Sequence, residues 1–355
     1  GHSEGVRAPG CPIEPVLPGF SRFSIGPALP GIHEAVKIEI ESFDGRVRKF
    51  RVLTGFKPRG IESLFQRVPV DVGVRIAESL CGDNAFSHSL AFCLALEDIC
   101  RSRIPPRAAM LRMILAEIER MASHLNTLAG MFAAAGLEAP ASRCSHWHER
   151  ILQFNETAVG HRWLRGVNQI GGLHRDLAES DTEALGGMVS KLTSNVRLLG
   201  EIAFADGSVL DRLEGVGLLS KSQALEAGLT GPAARASGLV EDERHAKPYL
   251  EYGRFGPKTV FGSAGDTLAR LEIFIGEILA SCALIQQLVR VLPAGEIWNG
   301  AGDVEPAVSA ARSIESPRGR LAYRISSGPE RNLAQCAVES PSPACFAALG
   351  GYVAG

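Results

Sequence analysis

A cysteine and a histidine seven residues apart have the clearest chemical potential in this chain. The run Arg75–His88 contains Cys81-Gly82-Asp83-Asn84, and His88 follows Cys81 by about two helical turns. A second cysteine three residues after Cys81 would give two thiolates able to bind a soft metal ion, but Asn84 stands there. A neutral amide is a poor ligand for a soft metal, so the run predicts a metal-binding loop that has lost half of its ligands.

Composition excludes several classes of protein. The 355 residues are 45% hydrophobic and 21% charged, as in ordinary globular chains, and the net charge of −2 leaves no basic footprint for nucleic acid. No apolar run reaches the ~18 residues of a transmembrane helix. Neither glycine-rich phosphate-binding motif is present, so direct NAD binding is not expected. The eight cysteines include no Cys-x-x-Cys pair and are expected to be reduced.

Hydrophobic periodicity predicts the elements that position these residues. Alternating residues around the turn at Asp44 predict a β-hairpin. Helical spacing runs from about Val70 to Leu164: a long helix begins at Pro105-Pro106 and is closed by Gly136 and Pro140, and a further helix covers about Arg143–Leu164. The later glycine- and proline-rich segment is expected to be mainly loop with short helices. The expected fold is multi-domain and mainly α, a central bundle of long helices with α+β peripheral parts. The predicted segments are an extended N-terminal arm (1–20), a β-hairpin α+β subdomain (21–66), a helical bundle core (67–215), a loop-rich insertion (216–262), a core helix (263–293) and a C-terminal α+β segment (294–355) with two short strands.

An ordered series of short motifs carries a family resemblance over nearly the whole chain. The motifs are Gly26-Pro27, His33, Arg59-Gly60-Ile61-Glu62, Cys81-Gly82, His88, Pro105-Pro106-Arg107, Glu117 to His124, Gly231-Pro232, Arg235, Tyr249, Gly265-Asp266 and Glu315-Ser-Pro-Arg318-Gly319. On these the chain resembles the large subunit of membrane-bound nickel–iron hydrogenases, including the formate-hydrogenlyase type, and the related quinone-site (D) subunit of respiratory complex I (NADH-quinone oxidoreductase).

The resemblance implies a nickel site built on four cysteine thiolates, in two Cys-x-x-Cys pairs. Here Cys81 is a remnant of the first pair, Asn84 replaces its partner, and the second pair is expected to be missing before Gly355. One thiolate and an amide cannot reproduce such a site, so no metal is expected on this chain.

The resemblance to complex I implies a quinone or other acceptor cavity. His33 matches the histidine that binds the quinone head group, whereas Leu80 occupies the position of the partner tyrosine and cannot donate a hydrogen bond. Glu62 matches a proton-passing carboxylate, and it could be a buried relay with a raised pKa or part of an ion pair. His88 could donate to groups around the former metal cavity or could be a core histidine bonded to a carbonyl.

Further residues and partners follow from the same resemblance. Arg120 and His124 are expected near an iron–sulfur cluster of the partner subunit, where positive charge stabilises the reduced cluster; Arg107, Glu117, Glu119 and Arg120 are expected in salt bridges. The chain would be an electron-transfer subunit, inactive alone, at the cytoplasmic face of a membrane. Its partners would be membrane subunits and a small iron–sulfur protein like the C subunit of complex I. Two alternatives stay open, a hydrogenase with atypical nickel ligation and a catalytically silent scaffold.

Overall fold

The computed structural model describes residues 18–28, 35–44 and 46–349. These residues form two compact units: the first joins the described residues before Ile61 to those after Ser342, and the second is Ile61–Ser342. Among the described helices, none combines the length and apolarity that a membrane span requires.

The first unit contains a three-stranded antiparallel sheet in the order β1-β2-β3. The hairpin predicted around Asp44 is confirmed as β2–β3, whereas β1 was not predicted, because its Phe-Ser-Arg-Phe-Ser-Ile pattern follows a proline-rich stretch. One face of the sheet carries ion pairs such as Arg22–Glu41 at 2.5 Å. The elements are β1 (Phe20–Ile25), β2 (Lys37–Phe43), β3 (Arg46–Leu53) and, at the end of the described chain, α13 (Ser342–Leu349).

The second unit is built around long helices, and the predicted mainly α fold is confirmed. Because α3 is apolar on nearly every side, it is buried on nearly every side. The longest helix, α4, packs against α5 and α12, and α12 also packs against α6. These helices are α1 (Ile61–Phe65), α2 (Val70–Glu78), α3 (Ala85–Cys100), α4 (Pro106–Ala134), α5 (Glu138–Val159), α6 (Glu179–Ala205) and α12 (Thr267–Arg290).

Local sequence explains where the long helices begin and end. Pro106 is the first residue of α4, as predicted, since the first turn needs no backbone N–H there. The next helix, α5, begins at Glu138 rather than near Arg143, because Pro140 lies in its first turn and does not close α4. It ends at Val159 instead of reaching Leu164, because Gly160 caps it with a left-handed φ of 82°.

Short elements complete the second unit. The glycine- and proline-rich segment forms short helices, as expected, and the C-terminal part forms a three-stranded sheet in the order β6-β7-β8. Only two of these strands were predicted, because β6 alternates weakly. Both β6 and β7 pack on α3. The elements are β4 (Asn168–Gln169), β5 (Gly172–Leu173), α7 (Gly207–Leu213), α8 (Lys221–Glu226), α9 (Gly231–Ala236), α10 (Glu243–Ala246), α11 (Tyr252–Phe255), β6 (Ser309–Ser316), β7 (Gly319–Ser327) and β8 (Leu333–Glu339).

Candidate functional site

The thiol of Cys81 lies in the loop between α2 and α3, where it is bonded to charged side chains. Its sulfur donates to Asp83 Oδ1 at 3.1 Å, and Arg318 approaches both residues, with Nη1 3.6 Å from the sulfur and Nη2 2.6 Å from Asp83 Oδ2. Burial and the negative charge of Asp83 raise the pKa of Cys81 to about 11, although Arg318 acts in the opposite direction. Cys81 is therefore a protonated thiol at neutral pH.

The turn that carries Arg318 is held against the start of α9 by a close backbone approach. Arg318 lies in the tight turn between β6 and β7, whose ends pair as Ser316 and Gly319. A Cβ atom on Gly231, which has a left-handed φ of 72°, would lie 2.5 Å from the carbonyl oxygen of Arg318. Gly231 is thus a glycine because two backbones meet there, and this contact fixes the turn that delivers Arg318 to the loop.

Asn84, which replaces the second thiolate, is the N-cap residue of α3, but its side chain makes no capping bond. The first-turn amides of α3 are bound by Glu119 of α4 instead. Glu119 accepts from the backbone N–H of Phe86 at 2.7 Å, from that of Ser87 at 2.9 Å and from the Ser87 hydroxyl. The prediction that Glu119 joins a salt bridge is therefore wrong, since its partners are uncharged donors.

His88 is buried on α3 and contacts β7. Its Nδ1 lies 2.8 Å from the hydroxyl of Tyr323, whose ring also meets Phe92 edge-on. Neither expected alternative named this partner, which is a phenol rather than a carbonyl. Burial raises the pKa of Tyr323 well above its ordinary value, so this phenol keeps its proton and can form the bond to His88.

The other cavity residues expected from the sequence are placed differently. Glu62 lies in the first turn of α1 and is exposed in this chain, with its carboxylate 3.5 Å from the backbone nitrogen of Val338. The described residues therefore do not bury Glu62 as a proton relay would require. Leu80 is partly buried against the core. His33 lies outside the described residues.

Arg120 and His124 belong to a buried charge network on the other side of α4. Arg120 contacts Glu117 at 3.3 Å and donates to the backbone carbonyl of Glu315 at 2.6 Å, and His124 Nε2 lies 2.8 Å from Glu277. Arg107, by contrast, forms its expected ion pair outside the network, with Asp176 at 2.9 Å. The network joins α4, α9, α12, β6 and the segment around α10, and its other charged members are Arg235, Asp242 and Arg244.

Mutual pairing keeps this network charged in the interior. Burial alone would raise the pKa of Glu277, but Arg235 and His124 hold it well below its ordinary value. Burial lowers the pKa of His124 despite its contact with Glu277, so the histidine is neutral near pH 7. Arg235 is the central cation, donating through Nε to Glu277 at 2.8 Å and through Nη1 to Glu315 at 2.8 Å.

Several of these residues were not assigned a role from the sequence. Asp83, Arg235, Arg318 and Tyr323 come from distant segments, and spacing alone does not pair them. One signal was available: Glu277 lies on α12 among apolar residues such as Ile273 and Ile278, and a charge on the buried face of a helix implies a buried partner.

Known proteins match this chain over most of its length. A family model described as the 49 kDa subunit of respiratory-chain NADH dehydrogenase matches residues 135–306. The carbon monoxide-induced hydrogenase of Rhodospirillum rubrum is 30% identical over 85% of this chain and 84% of its own length. The D subunit of NADH-quinone oxidoreductase from Dehalococcoides mccartyi is 30% identical over 87% of this chain and 85% of its own.

The fold is also that of a solved structure. A chain of the membrane-bound sulfane sulfur reductase, an archaeal respiratory membrane complex, superposes with a TM-score of 0.89 at 24% identity, covering 96% of this chain and 94% of that one. Sequence and fold thus agree with the resemblance carried by the motifs. The chain belongs to the family that contains the D (49 kDa) subunit of NADH-quinone oxidoreductase and the large subunits of membrane-bound hydrogenases.

Proposed function

We propose that this chain is the peripheral large subunit of a membrane-associated oxidoreductase related to complex I and energy-converting hydrogenases, and that it passes electrons to an acceptor without a nickel site of its own. The observation that carries the proposal is the Cys81–Asp83–Arg318 cluster. In a family whose relatives include hydrogenases, this loop holds its thiol in an ion-paired cluster and has an amide at the second ligand position.

The residues present do not fit a nickel ion. The site implied by the resemblance needs four thiolates. Because Asn84 stands where one of the four cysteines is needed, that thiolate is missing whichever residues the rest of the chain supplies. Cys81 is protonated and bonded to Asp83, and a guanidinium 3.6 Å from its sulfur would repel a cation. In the described ranges, no group of three or more His, Cys, Asp and Glu side chains is arranged to hold a metal ion.

On the acceptor side, the resemblance makes His33 the proposed ligand of a quinone or similar head group. The His88–Tyr323 pair offers a hydrogen-bonded imidazole and phenol near the loop, and Glu62, exposed on this chain, would be the carboxylate that exchanges protons. Leu80 would pack against the ring of the acceptor.

The donor side would be a small iron–sulfur subunit. Arg120 and His124 are each 1% exposed, so neither would contact the partner's cluster. Arg120 would act on the cluster through its positive charge, and His124, which is neutral near pH 7, would hold Glu277 in the network beside it. Membrane subunits would complete the complex, with this chain on its cytoplasmic face. Support for this assembly comes from relatives whose names denote respiratory and hydrogenase complexes.

Metal analysis and turnover of the assembled complex test the proposal. We expect nickel far below one atom per chain, and we expect His33→Ala and Glu62→Gln to lower electron transfer to a quinone by at least about tenfold. Matched replacements at the exposed His174 and Glu179, His174→Ala and Glu179→Gln, should leave turnover unchanged.

Two outcomes would contradict the proposal in different ways. Stoichiometric nickel together with hydrogen evolution would identify a hydrogenase with atypical ligation. Full turnover in both the His33→Ala and the Glu62→Gln complex, with assembly intact, would identify a scaffold subunit.

A further inference from the structure

The first turn of α3 takes its capping group from a different helix. The backbone N–H groups of Phe86 and Ser87 are the second and third of the helix, the two that an N-cap side chain ordinarily binds. Both donate instead to the Glu119 carboxylate of α4, at 2.7 and 2.9 Å, and the Ser87 hydroxyl donates to the same carboxylate.

Asn84 occupies the N-cap position and is left without this role. Its type is among the best N-cap residues, yet its side chain makes no capping bond and is 4% exposed. Its Oδ1 atom is buried and has no hydrogen-bond partner anywhere in the described part of the chain. Burying an acceptor without a partner costs about 1–3 kcal/mol. A hydrogen bond from the backbone N–H of Phe86 or Ser87 to Asn84 Oδ1 would remove this cost whenever Glu119 releases those groups.

We infer that Glu119 is a positioning residue for the Cys81–Asn84 loop. As a carboxylate, Glu119 binds the backbone N–H groups of Phe86 and Ser87 and so prevents Asn84 Oδ1 from binding them. When Glu119 takes up a proton, it releases these N–H groups, and Asn84 Oδ1 accepts from them instead. The proton converts one carboxylate oxygen into a hydroxyl, which then donates to Ser87 Oγ, whereas before uptake the Ser87 hydroxyl was the donor. The inference rests on the proposed function of the loop.

The charges around Glu119 support exchange near neutral pH. Burial raises the pKa of Glu119 to about 7, and the negative charge of Asp83 adds to this, while the bonds from Phe86 and Ser87 oppose it. Arg318 faces Asp83 from the β6–β7 turn at 2.6 Å, and the electrostatic influence of Asp83 also reaches His148 on α5.

The charges on α4 itself face away from this carboxyl. Glu117 and Arg120 pair with each other and with the interior network. Glu117 precedes Glu119 by two residues, which places their side chains about 200° apart around the helix. Burial, the first turn of α3 and Asp83 of the loop therefore govern the protonation of Glu119, rather than the network.

Side-chain amide NMR on the full, unpartnered chain tests the inference. The Asn84 amide signal, identified by its absence from Asn84→Ser, should move with pH with a midpoint near neutrality. The Glu119 carboxyl carbon, followed by carbon NMR, should show the same midpoint. Glu119→Gln should abolish the movement, and Glu179→Gln, the same change in the exposed first turn of α6, should preserve it.

An Asn84 signal that stays still over about two pH units either side of neutrality, or one that moves equally in Glu119→Gln, would overturn the inference. If Glu119→Gln failed to fold, the two midpoints in the unmodified chain would decide, and different midpoints would count against it. The measurement needs no partner subunit and no turnover, so a failed turnover test would contradict the proposed function and leave this result standing.

Discussion

Replacing Arg235 with methionine should destabilise the chain far more than replacing an exposed arginine. The Arg235 side chain is 1% exposed, and it donates to Glu277 through Nε at 2.8 Å and to Glu315 through Nη1 at 2.8 Å. Methionine fills much of the same volume but leaves these buried carboxylates without their cation. Breaking a buried ion pair in this way costs about 3–5 kcal/mol, a large part of the ~5–15 kcal/mol that stabilises a typical domain.

The matched control is Arg320→Met. Arg320 forms an ion pair with Glu339 at 2.8 Å, but the two side chains are 38% and 67% exposed. An exposed pair of this kind contributes less than about 1 kcal/mol. Both variants remove one guanidinium from a pair within Ile61–Ser342, so the difference between them measures the effect of burial.

Urea unfolding followed by tryptophan fluorescence gives the free energies. Trp147, Trp163 and Trp298 all lie within Ile61–Ser342, so the signal reports on the unit that contains the network. Without Arg235 the carboxyls of Glu277 and Glu315 should bind protons more readily, and the deficit relative to the unmodified chain should shrink as the pH falls.

A loss below about 1 kcal/mol in Arg235→Met, equal to that of the exposed control, would refute the reasoning. It would mean that the network carboxylates need no cation at position 235. A deficit that stayed constant on acidification would refute the proposed cause, namely the uncompensated negative charge.

Two other predictions concern the loop. The pKa of Glu119 is raised from 4.5 to about 7, so the folded chain binds a proton on this carboxyl more tightly than the unfolded chain does. The stability that this proton adds is complete below pH 4.5. About 3 kcal/mol of it is lost as the pH rises to about 7. Unfolding at a series of pH values should show this loss in the unmodified chain and not in Glu119→Gln; equal slopes would contradict it. Burial and the charge of Asp83 raise the pKa of Cys81 to about 11. Asp83→Asn removes that charge, so alkylation of Cys81, followed by peptide mass spectrometry, should begin at lower pH than in the unmodified chain. Unchanged or slower alkylation would contradict that role for Asp83.

Secondary structure followed from the sequence wherever one local pattern dominated. Pro105-Pro106 located the start of α4 because proline suits the first helical position, and the alternation around Asp44 located the β2–β3 hairpin. The pattern was insufficient for β6, whose serines and arginine alternate weakly with apolar residues. It also misjudged Pro140, which lies inside α5, because proline is compatible with a first helical turn as well as with a break.

Residue types alone determined the chemistry that the loop lacks. An amide at position 84 cannot supply the thiolate of a soft-metal site, whatever the fold around it, and the ordered motifs were enough to identify the family. These conclusions depend on the identity of side chains and their order along the chain, which folding does not change.

The tertiary structure alone decided which charges meet. Glu117 and Glu119 are two residues apart on one helix, yet Glu117 contacts Arg244, 127 residues away, while Glu119 binds the amides of α3. Likewise Arg318 reaches Asp83 across 235 residues, because the β6–β7 turn is held on Gly231. Such pairings, and the pKa values that follow from them, depend on burial and on distances between segments remote in sequence, and local periodicity contains neither.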